Sequence, residues 1–326
     1  MKALLCEAYG PIDMLTVKDL PSPVPGPTQL MVEVKAAAVN FADALIVQGL
    51  YQVKPPLPFT PGSEISGIVK AVGAEVKQFR AGDRVIAMVG RGGFAEQCLA
   101  EAGRAMPLPA GMDFDTGAAL VVAYCTSLHG LKDCGRLQPG ETLVVLGAAG
   151  GVGSSAIEIG KALGARVIAA ASSGDKLELC RKLGADATVN YSTENLKDRI
   201  SELTAGKGAD VIYDAVGGPH TEPALRALAW RGRLLVIGFA AGAIPKIPLN
   251  LTLLKERSII GVYWGDWVNH DVAGHLANLR LLDEWFIAGR IRPVVSERFP
   301  LVAASTAIAR IANRQVKGKI VVLPND

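Results

Sequence analysis

The chain has 326 residues, half of them apolar, with 34 Lys and Arg against 31 Asp and Glu and a net charge of +3. That balance excludes disorder and supplies two packed cores, and the scattered basic residues exclude a nucleic-acid footprint. Five cysteines (Cys6, Cys98, Cys125, Cys134, Cys180), odd in number and with no Cys-x-x-Cys pair, argue against a disulfide framework or a structural zinc site.

The apolar run at the start is too short for a signal peptide, and no later stretch reaches membrane-spanning length, so a cytoplasmic location is expected. Over residues 1–120 the pattern has period two. Leu30, Val32, Val34 and Ala36 alternate with Met31, Glu33 and Lys35, and residues 67–72 and 83–89 give further strands. Prolines at 21, 23, 25 and 27, then at 55, 56, 58 and 61, favour extended, turn-bounded segments over central helices. A compact, partly open β-barrel is expected there. The period becomes helical over residues 117–131, and Gln138-Pro139-Gly140 turns the chain into a new strand.

That strand, Leu143 to Leu146, feeds directly into Gly147-Ala148-Ala149-Gly150-Gly151-Val152-Gly153 and a helical pattern. A pyrophosphate must approach the backbone closely, so side chains are excluded, and the following helix offers unpaired N–H groups. Gly150, Gly151, Val152 and Gly153 are therefore candidate dinucleotide contacts. Strands follow at residues 165–171, 187–189, 209–214, 233–237 and 258–263, which predicts a doubly wound parallel sheet. Two helices stop alike, at Ala162-Leu163-Gly164-Ala165 and Lys182-Leu183-Gly184-Ala185, with Gly where a left-handed cap is wanted. A short-chain dehydrogenase turn would fit the glycine spacing, but none of the six tyrosines has Lys four residues on.

An NAD site places an acid at the end of the second strand; here that end is Ser172-Ser173-Gly174-Asp175-Lys176. Ser172 and Lys176 suit a 2′-phosphate, which favours NADPH, while Asp175 reads as the helix N-cap. Val216, Gly217, Ile237, Gly238 and Phe239 lie past the ends of the fourth and fifth strands, in the ligand crevice, with core packing the alternative for Phe239. The aromatics of Tyr263-Trp264-Gly265-Asp266-Trp267 are expected to wall a flat substrate or to pack between domains or subunits. His129, His220, His270 and His275 show no ligand spacing and read as surface or helix-end residues. A helix at 276–287 and a strand at 319–323 close the chain.

Ala37-Ala38-Val39-Asn40-Phe41-Ala42-Asp43, Gly49-Leu50-Tyr51, Pro61-Gly62-Ser63-Glu64-x-x-Gly67, Gly82-Asp83-Arg84-Val85, the glycine turn and Gly318-Lys319-Ile320-Val321 occur in that order. Together they resemble the medium-chain dehydrogenase/reductases, and among them the zinc-free, NADPH-using quinone oxidoreductases. The resemblance implies a GroES-like substrate domain (1–122 and 268–326), an NADPH-binding Rossmann domain (123–267) and a homodimer paired through the sixth strands. It places Tyr191 and Arg314 with Lys176 at the 2′-phosphate, Thr126 at the nicotinamide, and Asn40, Asp43 and Tyr51 at the reactive centre. Asn40 or its neighbours stand where zinc-dependent members carry a Cys, and Gly62-Ser63-Glu64 where they carry Gly-His-Glu, which implies no metal. Leu45 and Val47 stand where some quinone reductases carry Tyr and Arg, so the acceptor stays open between quinones and other conjugated carbonyls. An enoyl-thioester reductase and a non-catalytic NADPH-binding sensor or structural protein are the alternatives.

Overall fold

In the computed structural model, which describes residues 1–326, β1 (Lys2–Leu5) and β2 (Thr16–Asp19) form a small antiparallel pair. β3 (Gln29–Val39) follows, then helix α1 (Phe41–Val47), β4 (Glu64–Val72), β5 (Arg84–Met88), β6 (Gln97–Glu101) and β7 (Ala105–Pro107). β3 is the organiser. One side pairs with β4, and the irregularities between Met31/Val32 and Val34/Ala36 bend it, so that its first half also pairs with β6. Its inward residues Leu30, Val32 and Val34 are completely buried, as their alternation predicts.

Helix α1 corrects the expectation that prolines keep helices out of this region. Residues 28–54 contain no proline, and Asn40 with Asp43 three residues later starts the helix as a capping box.

Helix α2 (Phe114–Leu128) continues as a π-helical turn, His129–Cys134. After it come β8 (Thr142–Leu146), α3 (Gly151–Ala162), β9 (Arg166–Ala171), α4 (Gly174–Lys182), β10 (Ala187–Asn190), α5 (Leu196–Leu203) and β11 (Ala209–Asp214). Then follow α6 (Thr221–Arg226), β12 (Leu228–Val236), α7 (Asn250–Leu253), β13 (Ser258–Gly261), α8 (Trp264–His270) and α9 (Val272–Ile287). The six strands are all parallel in the order β10-β9-β8-β11-β12-β13, a doubly wound sheet with β8 and β11 at its centre. Gly164 and Gly184 end α3 and α4 in the left-handed region, at φ 83° and 96°.

The chain then adds β14 (Val295–Pro300), α10 (Ala304–Ala312) and β15 (Lys319–Leu323), which extend the first sheet to β14-β15-β3-β4-β5-β7. The two units are Met1–Val122 with Pro293–Asp326, and Ala123–Arg292. Residues 268–292 therefore fold with the parallel sheet rather than with the substrate domain, where the sequence reading placed them. The cause is local: α9 buries Leu282, Trp285 and Phe286, and its Asn278 side chain donates to Asp133 Oδ2 at 2.8 Å.

Candidate active-site residues

In the parallel-sheet unit the strand β8 delivers the chain into a turn with no side-chain cap: Gly150 is the N-cap of α3 and no side chain bonds to its first N–H groups. The turn is anchored by the Ala148 N–H donating to the Ala170 carbonyl, 3.1 Å, and the Gly150 N–H to the Gly147 carbonyl, 3.0 Å. A Cβ at Gly153 would lie 2.2 Å from the Gly147 oxygen, so only glycine lets α3 start against this turn. The result is a helix end whose N–H groups and partial positive charge are available to an anion.

At the end of β9, Lys176 Nζ donates to Ser172 Oγ at 3.5 Å. The N-cap of α4 is Ser173, whereas the sequence reading assigned it to Asp175. The backbone turns helical two residues earlier than that reading supposed, and Asp175 sits inside the first turn, accepting from the Ser173 hydroxyl. Tyr191 follows β10, with its N–H donating to the Ala171 carbonyl (3.2 Å) and its ring 4.5 Å from that of His220.

Beyond β11, the buried carboxylate of Asp214 accepts from the Val216 and Gly217 N–H groups (2.9 and 2.8 Å) and the Thr221 hydroxyl (2.6 Å). Gly217 adopts φ 68°, and a Cβ there would lie 2.8 Å from the Phe239 ring. Val216, Gly217 and Phe239 are thus brought together, with Ile237 tied to the Asp214 carbonyl by its N–H at 2.9 Å. Asp214 is the brace that the sequence reading missed; an acid closing an apolar strand was its signal. Thr126 lies half-buried on α2. A cleft of about 430 Å³ lined by Gly218, Pro219, Glu222 and Lys246 contains none of the expected cofactor residues.

The aromatics after β13 depart from the expected substrate wall. The strand stops at Gly261, so Trp264 and Trp267 stand on α8; Trp264 is buried, and Trp267 stacks on His129 with ring centroids 4.0 Å apart.

In the other unit Asn40 is held from both ends of its carboxamide. Its Nδ2 donates to Glu64 Oε1 (2.9 Å) and Ser63 Oγ (3.3 Å), and its Oδ1 accepts from Lys319 Nζ (2.5 Å). Lys319 Nζ also donates to Glu64 Oε1 (2.8 Å) and to the Val39 carbonyl (3.3 Å), and Glu64 Oε2 accepts from the Val122 N–H (2.8 Å). Glu64 and Lys319 are 0% and 4% exposed, a buried ion pair with its remaining hydrogen-bonding capacity used. Asp43 is 1% exposed and its Oδ2 accepts from the Asn40 N–H at 2.7 Å. Burial pushes its carboxyl up to about 7, against the opposing pull of the Asn40 N–H and of Lys319. Asp43 therefore acts on Asn40 from behind. Tyr51 is half-buried in the turn after α1, and Arg314 is exposed after α10 in the left-handed conformation, φ 57°. Sequence reasoning took Ser63, Glu64 and Lys319 only as motif letters; the signal for the last was a charge inside the apolar run Lys-Ile-Val-Val-Leu.

Two family models match the chain: an alcohol dehydrogenase GroES-like domain over residues 26–110 and a zinc-binding dehydrogenase over residues 151–280. The residues do not suit zinc at the position of Asn40. An amide, a hydroxyl and a carboxylate already engaged by an ammonium are not a thiolate and imidazole set, and no group of three or more His, Cys, Asp or Glu side chains is placed to hold a metal ion. A quinone oxidoreductase-like protein 2 homolog of Nematostella vectensis is 39% identical over 98% of this chain and 88% of its own length. A quinone oxidoreductase of Pseudomonas aeruginosa is 36% identical over 99% of both. The solved Escherichia coli quinone oxidoreductase, crystallised in complex with NADPH, superposes with a TM-score of 0.91 at 29% identity, covering 99% of this chain and 100% of that one. With the GroES-like strands, the parallel sheet and the glycine turn all in place, the chain belongs to the quinone oxidoreductase family of medium-chain dehydrogenase/reductases.

Proposed function

We propose that this protein is a metal-independent, cytoplasmic oxidoreductase that passes hydride from NADPH to a quinone or another conjugated carbonyl. One observation carries the reading. The uncapped, glycine-built start of α3 is accompanied, at the end of β9, by Lys176 bonded to Ser172 where an NAD site would need an acid. The full-length similarity to quinone oxidoreductases supports the acceptor class.

When bound, NADPH supplies the hydride. Gly150, Gly151, Val152 and Gly153 offer N–H groups to its pyrophosphate, and Lys176, Ser172, Tyr191 and Arg314 take the 2′-phosphate. Thr126, Val216, Gly217, Ile237 and Phe239 receive the nicotinamide end. Asn40, clamped by Lys319 and Glu64, orients the nicotinamide or the acceptor without having to reorganise. Tyr51 donates a hydrogen bond to the acceptor oxygen as charge gathers there, and Tyr51 or water supplies the proton. Asp43 is a positioning residue that holds Asn40. Strand β13 ends the sheet with Ile259 39% exposed, and a second copy pairs along it to form the homodimer. Light scattering at the monomer mass would remove the dimer.

The test is NADPH oxidation, followed by absorbance, against quinones, enones and enoyl-CoA thioesters, with NADH in parallel and a chelator throughout. Turnover of quinones or enones in chelator is expected. Turnover of thioesters alone would make the protein an enoyl reductase, and tight NADPH binding without turnover would make it a sensor or structural protein. Tyr51→Phe should lower kcat by about ten-fold or more and leave NADPH affinity unchanged, the signature of a contact made in the transition state.

A further inference from the structure

The π-helical turn His129–Cys134 assembles a second constellation, wholly inside the parallel-sheet unit. The wider turn sets residues four and five apart on one face. Cys134 Sγ lies 3.3 Å from His129 Nε2, and His129 Nδ1 lies 3.1 Å from Asp133 Oδ2. Asp133 is fixed in its turn: Asn278 Nδ2 donates to its Oδ2 (2.8 Å) and Lys132 Nζ to its Oδ1 (2.7 Å), while Lys132 Nζ also reaches Asn278 Oδ1 (3.0 Å). The Trp267 ring lies flat on His129, 4.0 Å between centroids and 21° between planes, and His275 packs edge-on behind Trp267. Nucleophile, base, orienting carboxylate and a plate that fixes the ring are all present. His129 is 5% exposed, which overturns its reading as a surface residue, while its place at the end of α2 agrees with a helix-end residue.

The other four cysteines, Cys6, Cys98, Cys125 and Cys180, are buried. Cys98 and Cys180 are pushed up to about 12 by burial, and Cys6 is raised by the same cause. Cys134 alone reaches solvent, half-buried at the end of the turn. Burial works against a charged His129 ring, but the Asp133 carboxylate and the Cys134 sulfur outweigh it and hold the ring up at about 9, while Asp133 is held down at about 2. Cys134 Sγ and His129 Nε2 face each other along that one 3.3 Å hydrogen bond.

We propose that Cys134 is a reactive-thiol modification site that captures soft carbon electrophiles of the conjugated-carbonyl class. Sγ forms a bond to the β-carbon, and the carbon–carbon π pair moves toward the carbonyl oxygen. The proton that the thiol gave to His129 Nε2 then returns to the α-carbon. The step is a net addition, with no electron donor or acceptor consumed. It does not use the residues assigned to hydride transfer, and it stands whichever acceptor the enzyme reduces.

N-ethylmaleimide, itself a conjugated carbonyl, is the probe, applied to the whole folded protein. Intact mass and peptide mapping should show one first adduct, on Cys134 and absent in Cys134→Ser. At pH 6.5 its second-order rate should exceed that of N-acetylcysteine by about ten-fold or more. His129→Gln should lose that excess at pH 6.5 and approach the wild-type rate at pH 9. A merely structural role for His129 would instead shift labelling equally at both pH values. Asp133→Asn should show a smaller loss of the same pH-confined form. The proposal falls if another cysteine reacts first, or if wild-type Cys134 reacts no faster than N-acetylcysteine with a rate rising ten-fold per pH unit up to pH 8. The wild-type profile decides even if the His129 variant does not fold.

Discussion

The two units build their polar sites by opposite means. In the 123–292 unit the turn from β8 into α3 is made of backbone: glycines, carbonyl anchors and an uncapped helix end, with Lys176 as its charged side chain. In the other unit the Asn40 cluster is made of side chains, with an ammonium and a carboxylate at almost no exposure interlocked with a half-buried amide. A backbone device loses function in steps as its contacts are removed. An interlocked charge cluster is close to all-or-none, because deleting one partner leaves the other charged, buried and alone.

The largest effect should come from breaking that interlock. Lys319→Met strands Glu64 at 0% exposure and should cost about 3–5 kcal/mol in urea unfolding followed by circular dichroism. Adding Glu64→Gln should recover part of that loss, and a cost under about 1 kcal/mol for the single variant would show that the pair does not organise the cluster. Next comes the cation of the backbone device. Lys176→Ala should weaken NADPH by about 1.5–3 kcal/mol, roughly ten- to hundred-fold in Kd by calorimetry, and leave NADH nearly unchanged. Gly153→Ala tests the turn itself: its Cβ would lie 2.2 Å from the Gly147 oxygen, so stability should fall by about 1–3 kcal/mol. Unlike Lys176→Ala, it should weaken both nucleotides alike, since both share the pyrophosphate.

The same contrast explains what the sequence made legible. The glycine turn, the two repeated helix stops and all six parallel strands are local patterns, and all are present, with the fifth strand starting earlier, at Leu228, and the sixth stopping at Gly261. The Asn40 cluster is not local. Its letters are visible, but Glu64 and Lys319 are 255 residues apart, and only β15 pairing antiparallel with β3 brings them together. Helix α1 is not legible from prolines spread between residues 21 and 61, while a capping box decides the matter within four. His129 was misread because a π turn shifts residues by one position, which a 3.6-residue period does not register. The boundary near 268 was misplaced because Asn278 reads as an ordinary helix residue until its bond to Asp133 is seen.

Each unit also holds one buried carboxyl with a raised pKa, which gives the comparison its last test. Burial pushes both Asp43 and Glu158 up to about 7; Glu158 accepts from the Tyr124 hydroxyl and, at 2.9 Å, from the Arg292 N–H. Ordinary values are 3.8 and 4.5. Between those values and 7 the native state binds more protons than the unfolded chain, so stability is full below about pH 4 and falls as pH rises toward 7. His129 adds its own loss only above 6.5, and Asp133 only at acid pH, which leaves pH 4.5–6.5 to the two carboxyls. Each carboxyl should contribute a decline of about 2 kcal/mol there, read from urea midpoints at four pH values. Glu158→Gln should remove the share of the parallel-sheet unit without touching the Asn40 cluster. Asp43→Asn should remove the remainder and also loosen Asn40, because the amide that replaces the carboxylate is a weaker acceptor for the Asn40 N–H. A slope unchanged in both variants would mean that neither buried carboxyl is the source of the pH dependence.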